Sequence, residues 1–415
     1  MSPRLESYVP VVGRSVIDQL EQLARPLHGA RVVHVNSTRV GGGVAEILEK
    51  MVPFMNELGM EASWEVIEGD QTFYATTKTF HNALQGKPVA PVNRELQHYE
   101  DMNAANAQRL GTTLRQADFV FIHDPQPAAL LSRFPDRRGR WIWRCHIDLS
   151  HPSRPVWKYL RGQVAGYDAS VFSLPDFAQV LPHPVFIIPP SIDPLSEKNI
   201  ELSQEEVRAT VAGVGINPDR PLVVQISRFD RFKDPLGVIN SYLLASRFAP
   251  ELQLVLAGGG ASDDPEGETV LEEVNRTAAD LPGVCVLPLP TTETSPRIVN
   301  ALQRAADIIM QKSLREGFGL TVTEGMWKGR PVIGGNAGGI RLQVVNHQTG
   351  FLVDTPEGAA LRIRYLLFNE EERLRMGERA REFVRENFLI TRHLREYLTL
   401  MVALHHKTVQ GRIEL

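Results

Sequence analysis

The chain has 415 residues, which is long enough for two or three domains that each bury a core of their own. Charged residues make up 23% and hydrophobic residues 43%, the balance of an ordinary soluble globular protein. The net charge of -4 gives no support for nucleic-acid binding, and no apolar run reaches the length of a membrane span.

The N-terminus lacks the long apolar stretch of a signal peptide. The two cysteines, Cys145 and Cys285, lie in apolar, strand-like segments and look like buried free thiols. Reduced thiols are typical of the cytoplasm, so we expect a cytoplasmic protein. No cysteine cluster suggests a metal site.

The first half of the chain alternates predicted strands and helices. Strands are predicted at residues 30–36, 63–67, 119–123, 141–146 and 169–172. Helices are predicted at residues 15–23, 72–84, 94–116 and 155–164. This alternation predicts a parallel, doubly wound sheet.

A glycine-rich turn follows the first strand. Gly41, Gly42 and Gly43 open a helix that is predicted to run to about residue 58. A strand, a glycine-rich turn and a helix together expose backbone amides that suit an anion. The spacing meets neither the dinucleotide fingerprint nor the Walker motif, and a plain flexible turn is the alternative interpretation.

Polar side chains follow two other predicted strands of the first half. His123, Asp124 and Gln126 come at the end of one strand, and His146 and Asp148 at the end of another. Polar groups at the carboxyl ends of parallel strands point into the ligand crevice of such a sheet. A lone histidine is more often structural, but two His/Asp pairs at strand ends favour a functional role.

Residues 182–194 contain five prolines and are the best candidate for a linker or hinge. A second alternating pattern begins after them. Its strands are predicted at residues 222–226, 253–257, 284–287, 308–310 and 332–333. Its helices are predicted near residues 204–211, 236–246, 268–281 and 297–305, and amphipathic helices at 359–367, 371–387 and 391–405 end the chain.

The strand at 222–226 ends in a cationic loop that holds Arg228, Arg231 and Lys233. A guanidinium offers a bidentate fork to a pyrophosphate and an ammonium offers a mobile point charge. A solvated charged loop is the alternative. Glycine turns at residues 258–260 and 336–340 follow two further strands.

The strongest pattern follows the strand at 308–310. Glu316 precedes Gly317, Phe318 and Gly319, a helix is predicted from near Leu320, and Glu324 lies eight positions after Glu316. The glycines let the backbone approach a ligand closely, and the amides near Thr321 suit phosphate. Each acid could instead merely complement a helix dipole.

These residues resemble the retaining glycosyltransferases with two Rossmann-like domains, the group that includes glycogen synthase and sucrose synthase. The Glu316/Glu324 spacing and the Arg228/Lys233 pair carry the resemblance, supported by the triple glycine and His146. It implies a GT-B α/β fold, in which two doubly wound parallel-sheet domains face a central cleft. The implied domains are an N-terminal acceptor domain at 1–190, joined by a final helix within 388–415, and a C-terminal nucleotide-sugar domain at 191–387.

Residues 37–46, 123–127 and 144–148 resemble more closely the trehalose glycosyltransferring synthases. That resemblance implies reversible transfer of glucose, with retention, from UDP- or ADP-glucose to free glucose, which gives α,α-trehalose. Lys233 is followed by Asp234, where many relatives have glycine.

The resemblance also assigns roles. Catalytic roles are implied for Glu316, His146, Arg228 and Lys233. Donor contacts are implied for Gly41, Gly42, Gly43, Arg228, Lys233, Glu316, Gly317, Phe318, Gly319, Leu320, Thr321 and Glu324. Acceptor contacts are implied for Arg39, Asp124, Gln126, His146 and Asp148.

The partners implied are a nucleotide-sugar donor and a glucose acceptor, without nucleic acid, membrane, metal or a tightly bound cofactor, and a homodimer is left open. Three alternatives stay open. One is a trehalose-phosphate synthase or another transferase of this type with a different acceptor. The others are a UDP-sugar 2-epimerase-like enzyme and an inactive nucleotide-sugar binding protein.

Overall fold

The computed structural model describes residues 4–39, 43–259, 265–289, 295–406 and 412–414. The chain divides into two compact units, of which the first is Met1–Ser191 with Ile390–Leu415 and the second is Ile192–Leu389. The sequence analysis places the corresponding boundaries after residues 190 and 387. Across the described residues, no helix combines the length and hydropathy needed to cross a bilayer.

The strands that the described residues form are β1 (Arg31–Asn36), β2 (Glu61–Val66), β3 (Phe119–His123), β4 (Arg140–Arg144), β5 (Ala169–Phe172), β6 (Val185–Ile187), β7 (Leu222–Ile226), β8 (Gln253–Gly258), β9 (Val284–Pro288), β10 (Ile308–Gln311), β11 (Val332–Gly335), β12 (Gly350–Val353) and β13 (Arg412–Glu414). Every strand pairing within the two sheets is parallel.

The α-helices in the same part of the chain are α1 (Val9–Val12), α2 (Arg14–Ala24), α3 (Gly43–Glu57), α4 (Gln71–Leu84), α5 (Asn93–Arg109), α6 (Gly111–Gln116), α7 (Arg154–Val164), α8 (Gln204–Gly213), α9 (Pro235–Ser246), α10 (Pro265–Ala278), α11 (Ser295–Ala305), α12 (Leu320–Trp327), α13 (Ile340–Gln343), α14 (Pro356–Phe368), α15 (Glu370–Asn387) and α16 (Ile390–His405). Short 3-10 helices cover Leu5–Tyr8, Arg25–Leu27, Ala128–Arg133, Pro175–Phe177 and Arg231–Lys233.

The predicted doubly wound parallel sheets are therefore present. The first unit has the order β13-β6-β5-β4-β3-β1-β2, and the second has the order β12-β11-β10-β7-β8-β9. Strand order reverses between β1 and β3 in the first unit and between β7 and β10 in the second. Ligands of open α/β sheets bind at such reversal points, beyond the carboxyl ends of the strands.

Strands buried on both faces were the easiest to predict. All five residues of β3 and all five of β7 are buried, because helices cover both faces of a parallel sheet. Their sequences therefore read as continuous apolar runs, and the predicted bounds agree with the observed ones. The three-residue strands β6 and β13 are too short to give such a signal, and neither they nor the four-residue β12 is predicted from the sequence.

Two details of the prediction are wrong. The helix predicted at 94–116 is two helices, because the chain turns at Leu110 between α5 and α6. Cys145 follows β4 instead of lying in it, and Cys285 is only half-buried. The linker or hinge predicted at 182–194, in contrast, does contain the boundary between the two units, after Ser191, although it also contains β6.

The last long helix, α16, belongs to the first unit. Its Tyr397 ring stacks 5.0 Å from Phe121 of β3, and Leu400, Met401 and Leu404 are buried with it. The apolar stripe that the sequence shows on this helix is thus packing surface.

Candidate active site

In the second unit, two loops meet at the point where strand order reverses. β7 and β10 are neighbours, and each ends in a polar loop. The Leu314 amide donates to the Phe232 carbonyl at 2.7 Å, which ties the loop after β10 to the 3-10 turn after β7. The cationic loop and the glutamate-glycine loop of the sequence analysis are therefore adjacent.

Lys233 and Glu316 form an ion pair across these two loops. The Lys233 ammonium donates to Oε2 of Glu316 at 2.7 Å, and the Ser313 hydroxyl donates to the same oxygen at 3.1 Å. The two charged side chains are only 17% and 9% exposed, so solvent screens this pair weakly. Asp230 holds the turn by accepting the Lys233 amide at 3.1 Å.

Arg228 lies in the same loop but is far more accessible. Its side chain is 60% exposed, and its Nη2 lies 3.5 Å from Oδ2 of Asp230. Asp230 thus contacts both predicted donor-binding cations, through its side chain to Arg228 and to the backbone of Lys233. A phosphate group could approach this guanidinium from solvent.

Asp234 occupies a backbone conformation that favours glycine, which explains the glycine in many relatives. Its φ is 50°, in the left-handed region, which aspartate tolerates better than most residues. Its carboxylate caps α9 by accepting the Gly237 amide at 3.2 Å, and it also pairs with the buried Lys312 ammonium. Lys312 was not singled out in the sequence, because only the fold brings it to Asp234.

The loop before α12 is held against a second glycine turn. Gly319 has a φ of 86° and precedes the helix, and the Gly339 amide donates to the Glu316 carbonyl at 3.3 Å. A Cβ on Gly338 would lie 1.6 Å from that carbonyl oxygen, so the close approach requires glycine. The amides of Leu320 and Thr321 begin α12 and have no intrahelical acceptor, as at every helix start.

Gln343 braces the same loop, and sequence reasoning missed it. Its amide nitrogen donates to the Phe318 carbonyl at 2.6 Å, and its oxygen accepts from the Thr323 hydroxyl at 2.6 Å. The residue is fully buried on the short helix α13. A buried glutamine with both ends engaged fixes the loop that carries Glu316.

Glu324 is buried on α12, away from solvent. Its carboxylate lies 3.9 Å from the Lys198 ammonium, and its carbonyl accepts from Lys328 at 3.1 Å. Lys328 also donates to Asn199 at 2.8 Å. Burial lowers the pKa of Lys328 to about 7, although the Glu324 charge opposes that shift.

In the first unit, three imidazoles lie in a row near the reversal point of that sheet. Nδ1 of His34 on β1 lies 3.1 Å from Nε2 of His123 at the end of β3. Nδ1 of His123 lies 3.0 Å from Nε2 of His146, in the loop after β4. Burial lowers the pKa of all three, to about 3 for His34, so the row is neutral at pH 7.

Asp124 supports this row through the backbone. Its Oδ1 accepts the His146 amide at 2.7 Å, and its own amide donates to the Arg144 carbonyl at 2.8 Å. Its φ of 64° is unusual for a residue with a side chain. Burial raises the pKa of the Asp124 carboxyl to about 6.

The other predicted acceptor residues make local contacts. The Arg39 guanidinium donates to the Trp64 carbonyl at 2.7 Å and lies over the Trp64 ring. Asp148 accepts the Ser150 amide at 2.8 Å, and the Gln126 carbonyl accepts from Asn103 at 3.1 Å. Gly43 is the first residue of α3, whereas Gly41 and Gly42 lie outside the described residues.

Three further residues near the row, His34, Arg144 and His393, are not among the site residues that the sequence predicts. Arg144 is fully buried at the end of β4 and donates to Ser173 at 3.3 Å, and His393 on α16 lies 2.9 Å from the Ser191 hydroxyl. A polar residue inside an otherwise apolar strand is the signal that could have found His34 and Arg144. His393 gives no such signal, because its helix is mixed in polarity.

The two sites have different chemistry. The second unit offers cations and helix-start amides, which suit a diphosphate. The first unit offers neutral imidazoles, which suit the hydroxyl groups of a sugar. Among the described residues, no group of three or more His, Cys, Asp and Glu side chains is arranged to hold a metal ion.

Two family models match the chain. One is the N-terminal domain of trehalose synthase, over residues 34–179, and the other is glycosyl transferases group 1, over residues 207–383. The first match includes the histidine row, and the second includes Lys233 and Glu316. The chain is therefore a glycosyltransferase enzyme.

Similar proteins cover nearly the whole chain. It is 45% identical to the trehalose synthase of Thermococcus litoralis over 96% of each chain. It is 43% identical to that of Rubrobacter xylanophilus, over 96% of this chain and 97% of the relative. A sucrose-phosphate synthase structure from Thermosynechococcus elongatus superposes with a TM-score of 0.69 at 16% identity, covering 91% of this chain and all of that one, which shows the shared fold. These findings confirm the GT-B fold predicted from the sequence, and the chain belongs to the trehalose synthase family of glycosyltransferases.

Proposed function

We propose that this enzyme transfers glucose, with retention, from UDP- or ADP-glucose to free glucose and so makes α,α-trehalose in a reversible reaction. The observation that carries the proposal is the Lys233–Glu316 pair at the strand-order reversal of the second unit. Its position beside Arg228 and the α12 amides suits a nucleoside diphosphate. The 45% identity to trehalose synthases supports the choice of sugar and acceptor.

In the proposed reaction, the bond between the anomeric carbon and the β-phosphate oxygen breaks, and a bond to the acceptor's anomeric hydroxyl oxygen forms. The departing nucleoside diphosphate keeps the electron pair of the broken bond. Negative charge therefore grows on its phosphate, where Lys233 and Arg228 stabilise it. Stabilisation of such developing charge is commonly the largest part of catalysis.

The acceptor hydroxyl loses its proton to the departing phosphate oxygen, on the same face of the donor sugar. This front-face route needs no protein nucleophile. The alternative is double displacement through Glu316. Its Oε2 already accepts from both Lys233 and Ser313, which favours a role in holding donor sugar hydroxyls over attack on carbon.

The remaining roles are those that the family resemblance implies. Glu324 would hold the ribose and His146 a hydroxyl of the transferred sugar. Asp124 would act mainly by holding the His146 backbone, since its carboxylate accepts that amide. Arg39 and Asp148 would contact the acceptor only after they release or share their present local partners, whereas the side-chain oxygen of Gln126 has no hydrogen-bond partner among the described residues.

The test is to incubate the enzyme with UDP-, ADP- or GDP-glucose and free glucose, and to look for a non-reducing disaccharide. The proposal predicts α,α-trehalose from UDP- or ADP-glucose, and release of nucleotide-glucose when trehalose and nucleoside diphosphate are supplied. Product only with glucose 6-phosphate would indicate a trehalose-phosphate synthase. A changed donor sugar without any acceptor would indicate an epimerase, and nucleotide-sugar binding without turnover would indicate an inactive binder.

A further inference from the structure

The three imidazoles of the first unit are arranged for hydrogen bonding in line. The ring centroids of His123 and His146 are 5.3 Å apart, their nearest nitrogens are 3.0 Å apart, and the planes differ by 14°. The two centroids can be no farther apart than the nitrogen separation plus the radius of each ring, and the observed separation reaches that limit. The rings therefore meet edge to edge, and the His34–His123 pair, at 5.3 Å and 3.1 Å, does the same.

Each ring of this row holds one proton. Burial is the largest cause of the lowered pKa of each, and for His123 and His146 the Arg144 charge acts in the same direction. A neutral imidazole donates from one nitrogen and accepts at the other. The protons along the row must therefore all point the same way, either toward His146 or toward His34.

The buried end of the row selects the direction. Nε2 of His34 is buried and has no hydrogen-bond partner among the described residues. If the protons point toward His34, this nitrogen is an orphaned N–H donor, and if they point toward His146, it is only an unused acceptor. Orphaned buried donors are the rarer and costlier case, so the protons point toward His146.

The neighbouring titratable groups that the structure describes do not fix the direction of the protons along the row. The neighbouring titratable groups are Arg144 on β4, Asp124 after β3, and Arg392, His393, Glu396 and Tyr397 on α16. Asp124 is engaged with the His146 amide, and Arg392 pairs with Glu396 and with backbone carbonyls. His393 bonds to Ser191 through Nδ1.

We propose that His34 and His123 are positioning residues that hold His146 as its Nδ1–H tautomer, so that His146 donates a hydrogen bond from Nδ1 to a hydroxyl oxygen of the bound sugar. Nδ1 of His146 has no partner among the described residues, and the residue is partly exposed. The proposal rests on the proposed glucosyl transfer only for the identity of the sugar. In this arrangement His146 orients a hydroxyl and does not act as a base.

The atoms of His123 allow matched variants. In His123→Asn, the side-chain amide lies where Nδ1 lies and can still donate to His146. In His123→Gln, the amide lies nearer the position of Nε2, so the contact with His34 is kept and the contact with His146 is lost. His123→Phe removes both contacts and keeps a ring. Thermal unfolding of each variant establishes that it is folded.

The first measurement is nitrogen NMR of the full chain with labelled histidine, in which His146→Asn identifies the His146 signals. The ¹⁵N shifts and couplings report which ring nitrogen carries the proton. We expect the proton on Nδ1 in the wild type and in His123→Asn, and on Nε2 in His123→Phe and His123→Gln. A wild-type proton on Nε2 of His146 overturns the proposal.

The second measurement is transfer kinetics with glucose. We expect kcat/KM to fall about 10- to 100-fold in His123→Phe and His123→Gln, by analogy with the loss of the outer partner of a metal-ligating histidine, and less than about threefold in His123→Asn. UDP affinity, which the second unit would provide, stays unchanged. Equal losses in all three folded variants would show a purely structural role and overturn the proposal. If the wild type transfers to no acceptor, the proposed function fails, while the NMR result still decides the tautomer.

Discussion

The two units place different kinds of polar group at the same topological position. At the reversal between β7 and β10, Lys233 and Glu316 face each other as ions, with Arg228 exposed beside them. Near the reversal between β1 and β3, His34 and His123 are fully buried and neutral. Under the proposed function, one fold position would serve charge recognition in one unit and hydroxyl recognition in the other. The difference lies in the side chains that end the strands and not in the sheet.

Removing the Lys233 ammonium in the second unit should have the largest effect on transfer. Replacement of Lys233 by methionine should lower kcat by about 10²–10³-fold, equivalent to ~2.7–4 kcal/mol of barrier, by analogy with the loss of an oxyanion donor. Arg231→Met is the matched control, because Arg231 lies in the same turn but pairs with Glu273 at 3.4 Å. Steady-state transfer assays of both variants measure the effect. Near wild-type turnover after Lys233→Met combined with Arg228→Ala would remove the anion-binding role.

Breaking the Lys312–Asp234 ion pair should mainly reduce stability. In Lys312→Met, the Asp234 carboxylate loses its buried partner. Because Asp234 is itself partly exposed, we expect the free energy of unfolding to fall by about 3 kcal/mol, the low end of the range for a broken buried pair. Asp234→Gly added to Lys312→Met should recover part of that loss, because glycine accepts the left-handed backbone without a charge to pair. Urea unfolding of the single and double variants measures this. A double variant as unstable as Lys312→Met would show that Asp234 is not what Lys312 supports.

Gly338 tests the close packing of the glutamate loop. Gly338→Ala would place a Cβ 1.6 Å from the Glu316 carbonyl oxygen, so one of the two turns must move. We expect a loss of about 1–3 kcal/mol of stability from overpacking and at least about tenfold in transfer rate from misplacement of Glu316. Gly213→Ala is the control, since nothing lies within 4 Å of its added Cβ. Similar activity in both variants would contradict the packing account.

Replacing Lys328, a buried lysine with a lowered pKa, should give the smallest effect. Its folded pKa of about 7 is below the usual 10.5 of lysine, so above pH 7 the unfolded chain binds more protons than the folded one. Its contribution to stability therefore increases as pH rises from 7 toward 10.5. Lys328→Met should reduce the gain in stability between pH 7 and pH 8.5 by about 1–2 kcal/mol. An unchanged slope in Lys328→Met, with the exposed Lys158→Met as control, would contradict this.

The sequence predicted the strands that carry the sites better than the residues that complete them. Buried strands such as β3 and β7 are continuous apolar runs, and glycine, proline and charged residues indicate the loops after them. Lys312 and Gln343 act through partners that only the fold brings near, Asp234 for one and Phe318 for the other. His34 lies inside a strand that the apolar pattern predicts to be part of the core.

Short elements were missed for a related reason. β6 consists of three residues between prolines, and its pairing with β5 and β13 comes from the sheet and not from a local pattern. The direction of the protons along the histidine row likewise depends on β1, β3 and the loop after β4 together. Periodicity within any one segment carries no information about it.

The division of labour between the units is tested most directly by nucleotide binding. Calorimetric titration of the full chain with UDP and with ADP should be compared for the wild type, Lys233→Met and His146→Phe. The account predicts that Lys233→Met weakens binding of the preferred nucleotide by about tenfold or more, as expected when a charge-assisted contact is lost, while His146→Phe binds as the wild type does. Unchanged affinity in Lys233→Met, or an equal loss in both variants, would contradict it.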